Sequence, residues 1–149
     1  MARPFPLQAA RDLAHRRLDD AADALRSHAQ RLRESEEKSA ELDRYRNEYQ
    51  VQRMSQLAEG MDAGRLRAFD AFIVRLDEAI AAQRLDTERR RSIWESARQA
   101  WIAAHRRSEA MDALAERHVA AEALREGRAE RKREDEFAGR AAAIKAGRS

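Results

Sequence analysis

The stretch Ala58-Glu59-Gly60-Met61-Asp62-Ala63-Gly64 holds two of the five glycines in this chain of 149 residues. Upstream of it, no glycine or proline interrupts the chain after Pro6, a position where a helix can start but not continue. Two glycines around an aspartate are typical of a turn that ends one helix and caps the next. The stretch therefore predicts a short turn between two long helices.

The composition supports an all-helical chain. Charged residues make up 38% and aromatic residues 5% of it, there is no cysteine, and three valines and one threonine are too few for a sheet protein. The large apolar residues suffice for a narrow seam between helices. We predict an all-α fold: one domain over 1–149, a long antiparallel two-helix coiled-coil hairpin with a C-terminal helical overhang. Its parts are helix 1 at about 7–57, the turn at about 58–64, helix 2 at about 65–138 and a frayed tail at 139–149.

The second helix carries two tracks in steps of seven residues, which is the a/d pattern of a coiled coil. The tracks run from Leu66 to Ser108 and from Phe69 to Met111, with polar residues in the middle at Gln83, Thr87 and Arg90. The repeat predicts a continuous apolar face along this helix.

The first helix has a less regular pattern. Leu18, Leu25 and Leu32 are seven residues apart, and the next leucine in the pattern, Leu42, follows after ten. A ten-residue step breaks a strict repeat, so we expect a local change of winding near residues 36–39.

A short turn makes the two helices antiparallel neighbours, so contacting residues should have numbers that add to about 121. This register sets Tyr49 near Phe72 and Leu25 near Ala97. It leaves the second helix without a partner beyond about Leu114, which predicts a helical overhang.

The sequence contains no pattern for catalysis or for a cofactor. The four histidines lack the i,i+4 spacing of a metal site, cysteine ligands are absent, and there is no phosphate-binding glycine loop or nucleophile elbow. We therefore predict no enzymatic activity, no cofactor and no metal. No apolar run is long enough for a membrane span, and the N-terminus lacks a signal-peptide pattern, which predicts a cytoplasmic or peripheral protein.

Basic clusters and the coiled-coil pattern leave two alternatives open. The clusters at 89–91, 106–107 and 131–133 could bind phosphates, as in a nucleic-acid-associated basic coiled coil, but no aromatic residues alternate with them and nearby acids can pair with them. The net charge of +3 is also small. We expect no nucleic acid. The second alternative is a structural homodimeric coiled coil, against our expectation of a monomer in the free state.

Aromatic and apolar residues near the turn fit either the seam or a partner-binding surface. Phe72, Leu76 and Ala79 follow i, i+4, i+7 spacing and share one helix face. A two-helix seam cannot enclose large rings, so part of each ring should remain exposed. Trp94 and Trp101, seven residues apart, are interpreted as seam residues that cover alanines of the first helix.

Several blocks of the sequence resemble the FliJ family of flagellar export proteins, whose nearest relatives are YscO-like proteins of injectisomes. The blocks are Leu42-x-x-Tyr45-x-Asn47-Glu48-Tyr49, then Phe72-Ile73-x-x-Leu76-x-x-Ala79-Ile80, then Trp101, and finally Asp135-Glu136-Phe137-Ala138-x-Arg140-Ala141-Ala142. They occur in the order, spacing and chain length of that family. Gln83 stands where a histidine is common in the family.

The resemblance implies a non-enzymatic stalk, similar to the central stalk subunit of rotary ATP synthases, in the flagellar type III protein export apparatus. It implies three partners: the flagellum-specific export ATPase hexamer, the membrane-embedded export gate and the export chaperones. The protein would be cytoplasmic and peripheral to the membrane at the flagellar base.

The resemblance also implies where these partners bind. The gate or partner surface would consist of Leu42, Tyr45, Tyr49, Phe72, Leu76 and Ala79. The end that bears both termini would enter the ATPase ring. Its basic overhang, taken with the resemblance, makes five arginines the candidate contacts: Arg16, Arg17, Arg128, Arg131 and Arg133.

Overall fold

The structure is a computed structural model that describes residues 2–147. It contains two long helices, α1 over Gln8–Glu59 and α2 over Ala63–Gly147, and the described residues contain no strand. The helices are antiparallel and pack against each other, which confirms the all-α, two-helix prediction.

The turn between the helices is shorter than the predicted 58–64. It consists of residues 60–62, and Gly60 has a φ of +99°, which a side chain would disfavour. Gly60 N donates to Leu57 O at 3.2 Å and so closes the end of α1. Asp62 caps α2, because its Oδ1 accepts from Arg65 N at 2.7 Å. Gly64 is helical.

The C-terminal bound of α2 also differs from the prediction. The sequence placed the end of helix 2 at about residue 138, but α2 continues to Gly147 through a run of three alanines, the strongest helix formers. Gly139 alone does not end the helix. Arg148 and Ser149, the last residues of the predicted tail, lie outside the described residues.

The chain divides into two compact units. The terminal unit comprises Met1–Asp19 and Ala103–Ser149, and the turn unit comprises Asp20–Ile102. In the turn unit, the buried residues of α2 are those of the two predicted tracks: Phe69, Ile73, Leu76, Ile80 and Thr87. In the terminal unit, Ala14, Ser108 and Ala115 are buried between α1 and α2.

The predicted change of winding near residues 36–39 is wrong. In the turn unit, α1 keeps an unbroken seven-residue repeat of buried and half-buried positions. Ser35, which is 2% exposed, is one of these positions, whereas the next residue, Glu36, is exposed. Hydrogen bonds across the seam make Ser35 an acceptable buried residue, so the repeat needs no large apolar side chain there.

Candidate functional site

One flank of the seam in the turn unit is aromatic. The ring of Phe72 lies 4.5 Å from that of Tyr49 and 6.2 Å from that of Tyr45, centroid to centroid, and Tyr49 also lies 4.8 Å from Phe69. Phe69 is 8% exposed and belongs to the seam, whereas Tyr45 is 48% exposed. We call the surface formed by Tyr45, Tyr49 and Phe72 the aromatic flank.

The opposite flank of the same seam consists of ion pairs between the helices. Arg53 Nε donates to Asp70 Oδ1 at 2.9 Å, and Arg46 pairs with Asp77. Arg46 follows Tyr45 by one residue, a step of about 100° around the helix, which moves it to the other side of the seam. A third pair joins Arg84 and Asp43.

The Arg46–Asp77 ion pair changes the pKa of its carboxyl group. The hydrogen bond from Arg46 holds the pKa of Asp77 below its usual range. Because each acid faces a base, the ion-pair flank presents balanced charge. Of these two flanks of the seam, the aromatic flank is the apolar one.

The structure brings the six predicted partner residues to one part of the turn unit, with different exposure. Leu42, Tyr49 and Phe72 are half-buried, while Tyr45 and Ala79 are exposed. Leu76 is 7% exposed and lies in the seam beneath them. A partner on this side would contact the rings and Ala79, with Leu76 as their support.

The five predicted ATPase contacts are all exposed in the terminal unit, but they form two separate groups. Arg16 and Arg17 lie on α1 directly after His15, whose Nε2 donates to Asp112 Oδ1 at 2.8 Å. Arg128 lies 16 residues beyond Asp112, roughly 24 Å along α2 at about 1.5 Å per residue. One partner site would have to be extended to contact both groups.

The non-helical N-terminal segment forms contacts that the sequence did not predict. His118 Nε2 donates to Arg3 O at 2.8 Å, Arg3 N donates to Glu122 Oε2 at 3.2 Å, and the ring of Phe5 lies 5.6 Å from that of His118. These contacts correct the start of the overhang from about Leu114 to residue 123. From 123 to 147 every residue of α2 is exposed.

Two carboxylates of α2, those of Asp112 and Glu122, accept hydrogen bonds from residues near the N-terminus. Arg11 Nε donates to Asp112 Oδ1 at 2.8 Å, and this bond, together with that from His15, lowers the pKa of the Asp112 carboxyl. The backbone N–H of Arg3 lowers the pKa of Glu122. Both carboxylates thus stabilise the N-terminal part of the unit in their ionised form.

Within residues 2–147, no group of three or more His, Asp or Glu side chains could hold a metal ion. Neither α1 nor α2, as far as they are described, has a segment apolar enough to cross a membrane.

Residues 3–147 match the family described as "Flagellar FliJ protein". The chain belongs to the FliJ family. It is 32% identical over 142 residues to the flagellar FliJ protein of Salmonella typhi, covering 95% of this chain and 97% of the relative. It is equally similar, at 32% over 142 residues, to the flagellar FliJ protein of Escherichia coli strain K12. The FliJ match extends over both units, so neither is an addition to the family fold.

Proposed function

We propose that this chain is a non-enzymatic stalk and coupling component of the flagellar type III protein export apparatus. The observation that carries the proposal is its FliJ family membership over residues 3–147, which supports a flagellar, export-related role. In this proposal the chain is cytoplasmic, lies at the membrane face of the flagellar base, is monomeric when free, and assists export chaperones.

The terminal unit is proposed to bind the hexameric export ATPase. Its α2 is exposed from residue 123 onward, and three of the candidate arginines, Arg128, Arg131 and Arg133, lie there. Exposed arginine contacts contribute about 0 to 1 kcal/mol each, so binding would depend on several of them together.

The turn unit is proposed to bind the export gate through the aromatic flank. Tyr45 and Phe72 offer partly exposed rings, which are strong anchors in protein interfaces because they bury a large area with few rotatable bonds. The ion-pair flank does not favour the alternative of nucleic-acid binding, because its arginines already pair with carboxylates instead of being available to phosphates.

The ATPase site is tested by charge reversal. Arg16, Arg17, Arg128, Arg131 and Arg133 are changed together to Glu, and retention of the export ATPase is measured by pull-down and by sedimentation of the complex. The matched control reverses five exposed arginines of the turn unit: Arg44, Arg65, Arg67, Arg75 and Arg89. The proposal expects loss with the first set and retention with the control. Equal retention by both variants would remove the terminal unit as the docking site.

The gate site is tested by one added charge on α2. Ala79→Glu places a carboxylate beside the aromatic flank, and Ala81→Glu, two residues or about 200° further around the helix, is the matched control. Both alanines are exposed, so the stability of the two variants should be similar. Gate binding should fall at least tenfold for Ala79→Glu alone, and equal binding by both variants would reject this surface.

A further inference from the structure

A buried polar layer interrupts the apolar seam in the middle of the turn unit. Ser35 of α1 is 2% exposed and Thr87 of α2 is 7% exposed, and their hydroxyl oxygens lie 2.7 Å apart. Gln83 Nε2 donates to Ser35 Oγ at 2.9 Å and to Ser35 O at 3.2 Å. All three residues occupy positions of the seven-residue tracks where a coiled coil normally has apolar side chains.

The layer satisfies its polar groups with partners at its edge. Ser35 Oγ lies 2.9 Å from Asp86 Oδ2, to which it can donate, and Thr87 Oγ1 can donate to Gln83 O at 3.0 Å or to Ser35. Arg90 Nε donates to the same Asp86 oxygen at 2.9 Å. The two hydroxyl protons and the amide of Gln83 thus all find acceptors across or beside the seam.

The polar layer also reports the register of the two helices. The numbers of Ser35 and Thr87 add to 122, and half of that is 61, the middle of the turn at residues 60–62. If one helix slides along the other by seven residues, the numbers of facing residues add to 129 instead of 122. The middle of the turn then moves to between Gly64 and Arg65. The second glycine of the turn region therefore gives the chain another place to turn.

Apolar pairing alone discriminates weakly between the two registers. In the shifted register, Tyr49 faces Ile80 instead of Ile73, and Leu32 faces Ala97 instead of Arg90. Both arrangements bring apolar positions of α1 to apolar or small positions of α2. The polar layer, in contrast, exists in one register only.

We propose that the hydrogen-bonded layer of Ser35, Gln83 and Thr87 selects the register in which the chain turns at Gly60 rather than at Gly64. Slippage by one heptad places Ser35 opposite Trp94 and Thr87 opposite Leu42. Ser35 Oγ then loses its partners Thr87, Gln83 and Asp86 on the other helix while it remains in the seam, and an unpaired buried hydroxyl is costly. Thr87 keeps its bond to Gln83 O within α2 and loses Ser35.

The register matters for the surface of the turn unit. The contacts of Phe72 with Tyr45 and Tyr49 require the register that the layer selects, because slippage by seven residues moves the rings roughly 10 Å apart along the helices. The layer is therefore a positioning device for the aromatic flank, and it acts whether or not that flank binds the export gate.

The test removes the hydrogen bonds and keeps the side-chain size. The variant Ser35→Ala/Gln83→Leu/Thr87→Val makes the layer apolar. Its matched control, Ser27→Ala/Gln99→Leu/Ser92→Val, makes similar changes at exposed positions. A second variant, Thr87→Ser, keeps the hydroxyl group and should behave as the unmodified chain does.

Engineered cysteine pairs report the register, since the chain has no cysteine of its own. The pair Leu25→Cys with Ala97→Cys adds to 122 and should form a disulfide within one chain in the register of the structure. The pair Leu32→Cys with Ala97→Cys adds to 129 and should form one only after slippage, because seven residues displace it by roughly 10 Å, beyond the reach of about 7 Å between Cα atoms.

In the unmodified, control and Thr87→Ser backgrounds, we expect the first pair to crosslink and the second to remain reduced. In the apolar-layer background, the second crosslink should increase at least tenfold at the expense of the first, with helicity retained. Crosslinking of the first pair only would overturn the proposal and assign the register to Gly60 and the Asp62 cap. If the triple variant loses its helicity, the two cysteine pairs are measured instead in a Thr87→Val variant. The same increase of the second crosslink is then expected, and crosslinking of the first pair only would again overturn the proposal.

Discussion

Two phenylalanines three residues apart on α2 separate the seam from the aromatic flank. Phe69 is 8% exposed and Phe72 is half-buried at the edge. Phe69→Ala removes a buried ring and leaves a cavity between the helices, at a cost of about 3 to 5 kcal/mol. Phe72→Ala opens the lost volume to solvent, so mainly the transfer free energy of the covered part is lost, about 1 to 2 kcal/mol.

These magnitudes are measurable by thermal unfolding followed by circular dichroism. For a chain of this size, 1 kcal/mol corresponds to about 2 to 4 °C in Tm. Phe69→Ala should thus lower Tm by about 6 to 20 °C and Phe72→Ala by about 2 to 8 °C. Gate binding, measured where both variants are folded, should decrease for Phe72→Ala and persist for Phe69→Ala. A Phe72→Ala variant as unstable as Phe69→Ala, with normal gate binding, would refute this division of roles.

Two further predictions concern the turn and the carboxylates. Gly60→Ala forces a side chain into a φ of +99° and should destabilise the chain by about 1 to 2 kcal/mol, whereas Gly127→Ala, at an open position inside α2, should stabilise it by about 0.5 to 1 kcal/mol; equal effects in chemical denaturation would contradict the turn geometry. The pKa values of Asp77, Asp86 and Asp112 are lowered by their hydrogen bonds to arginine, so their contribution to stability is present above about pH 4 and is lost as the pH falls below it. Tm measured from pH 7 to pH 3 should therefore fall less steeply for Asp77→Asn than for the unmodified chain, and parallel profiles would contradict the role of the Arg46–Asp77 pair.

Much of the fold follows from the spacing of a few residues. The glycines around Asp62 gave the position of the turn, and the seven-residue tracks through Phe69 and Ile73 gave the buried face of α2. The expected proximity of Tyr49 and Phe72 agrees with their ring separation of 4.5 Å. These features depend on local periodicity and on one short connection, which a sequence displays directly.

Two features could not be found by hydrophobic periodicity. Ser35 is buried because Thr87 and Gln83 bond to it across the seam, and a search for large apolar residues passes over it and finds the ten-residue step to Leu42 instead. A strict repeat of seven, counted regardless of polarity, would have found it. The contacts of Arg3 and Phe5 with α2 come from a non-helical segment, whose sequence has no periodicity that would predict them.

The two flanks of the turn unit also could not be separated from the sequence. Tyr45 and Arg46 are adjacent in the chain, and both lie near the seam by register. Only the ring contact of Tyr45 with Phe72 and the pairing of Arg46 with Asp77 show that one flank is aromatic and the other is charged.

Photo-crosslinking in cells tests most directly the claim that the terminal unit binds the export ATPase and the turn unit binds the gate. A photoreactive phenylalanine analogue is placed at Arg131, at Tyr45, or at the control position Met54, which lies about 180° around α1 from Tyr45 and is 66% exposed. We expect an adduct with the export ATPase from position 131, an adduct with the gate protein from position 45, and neither from position 54. The reverse assignment, or adducts with neither partner from positions 131 and 45, would contradict it.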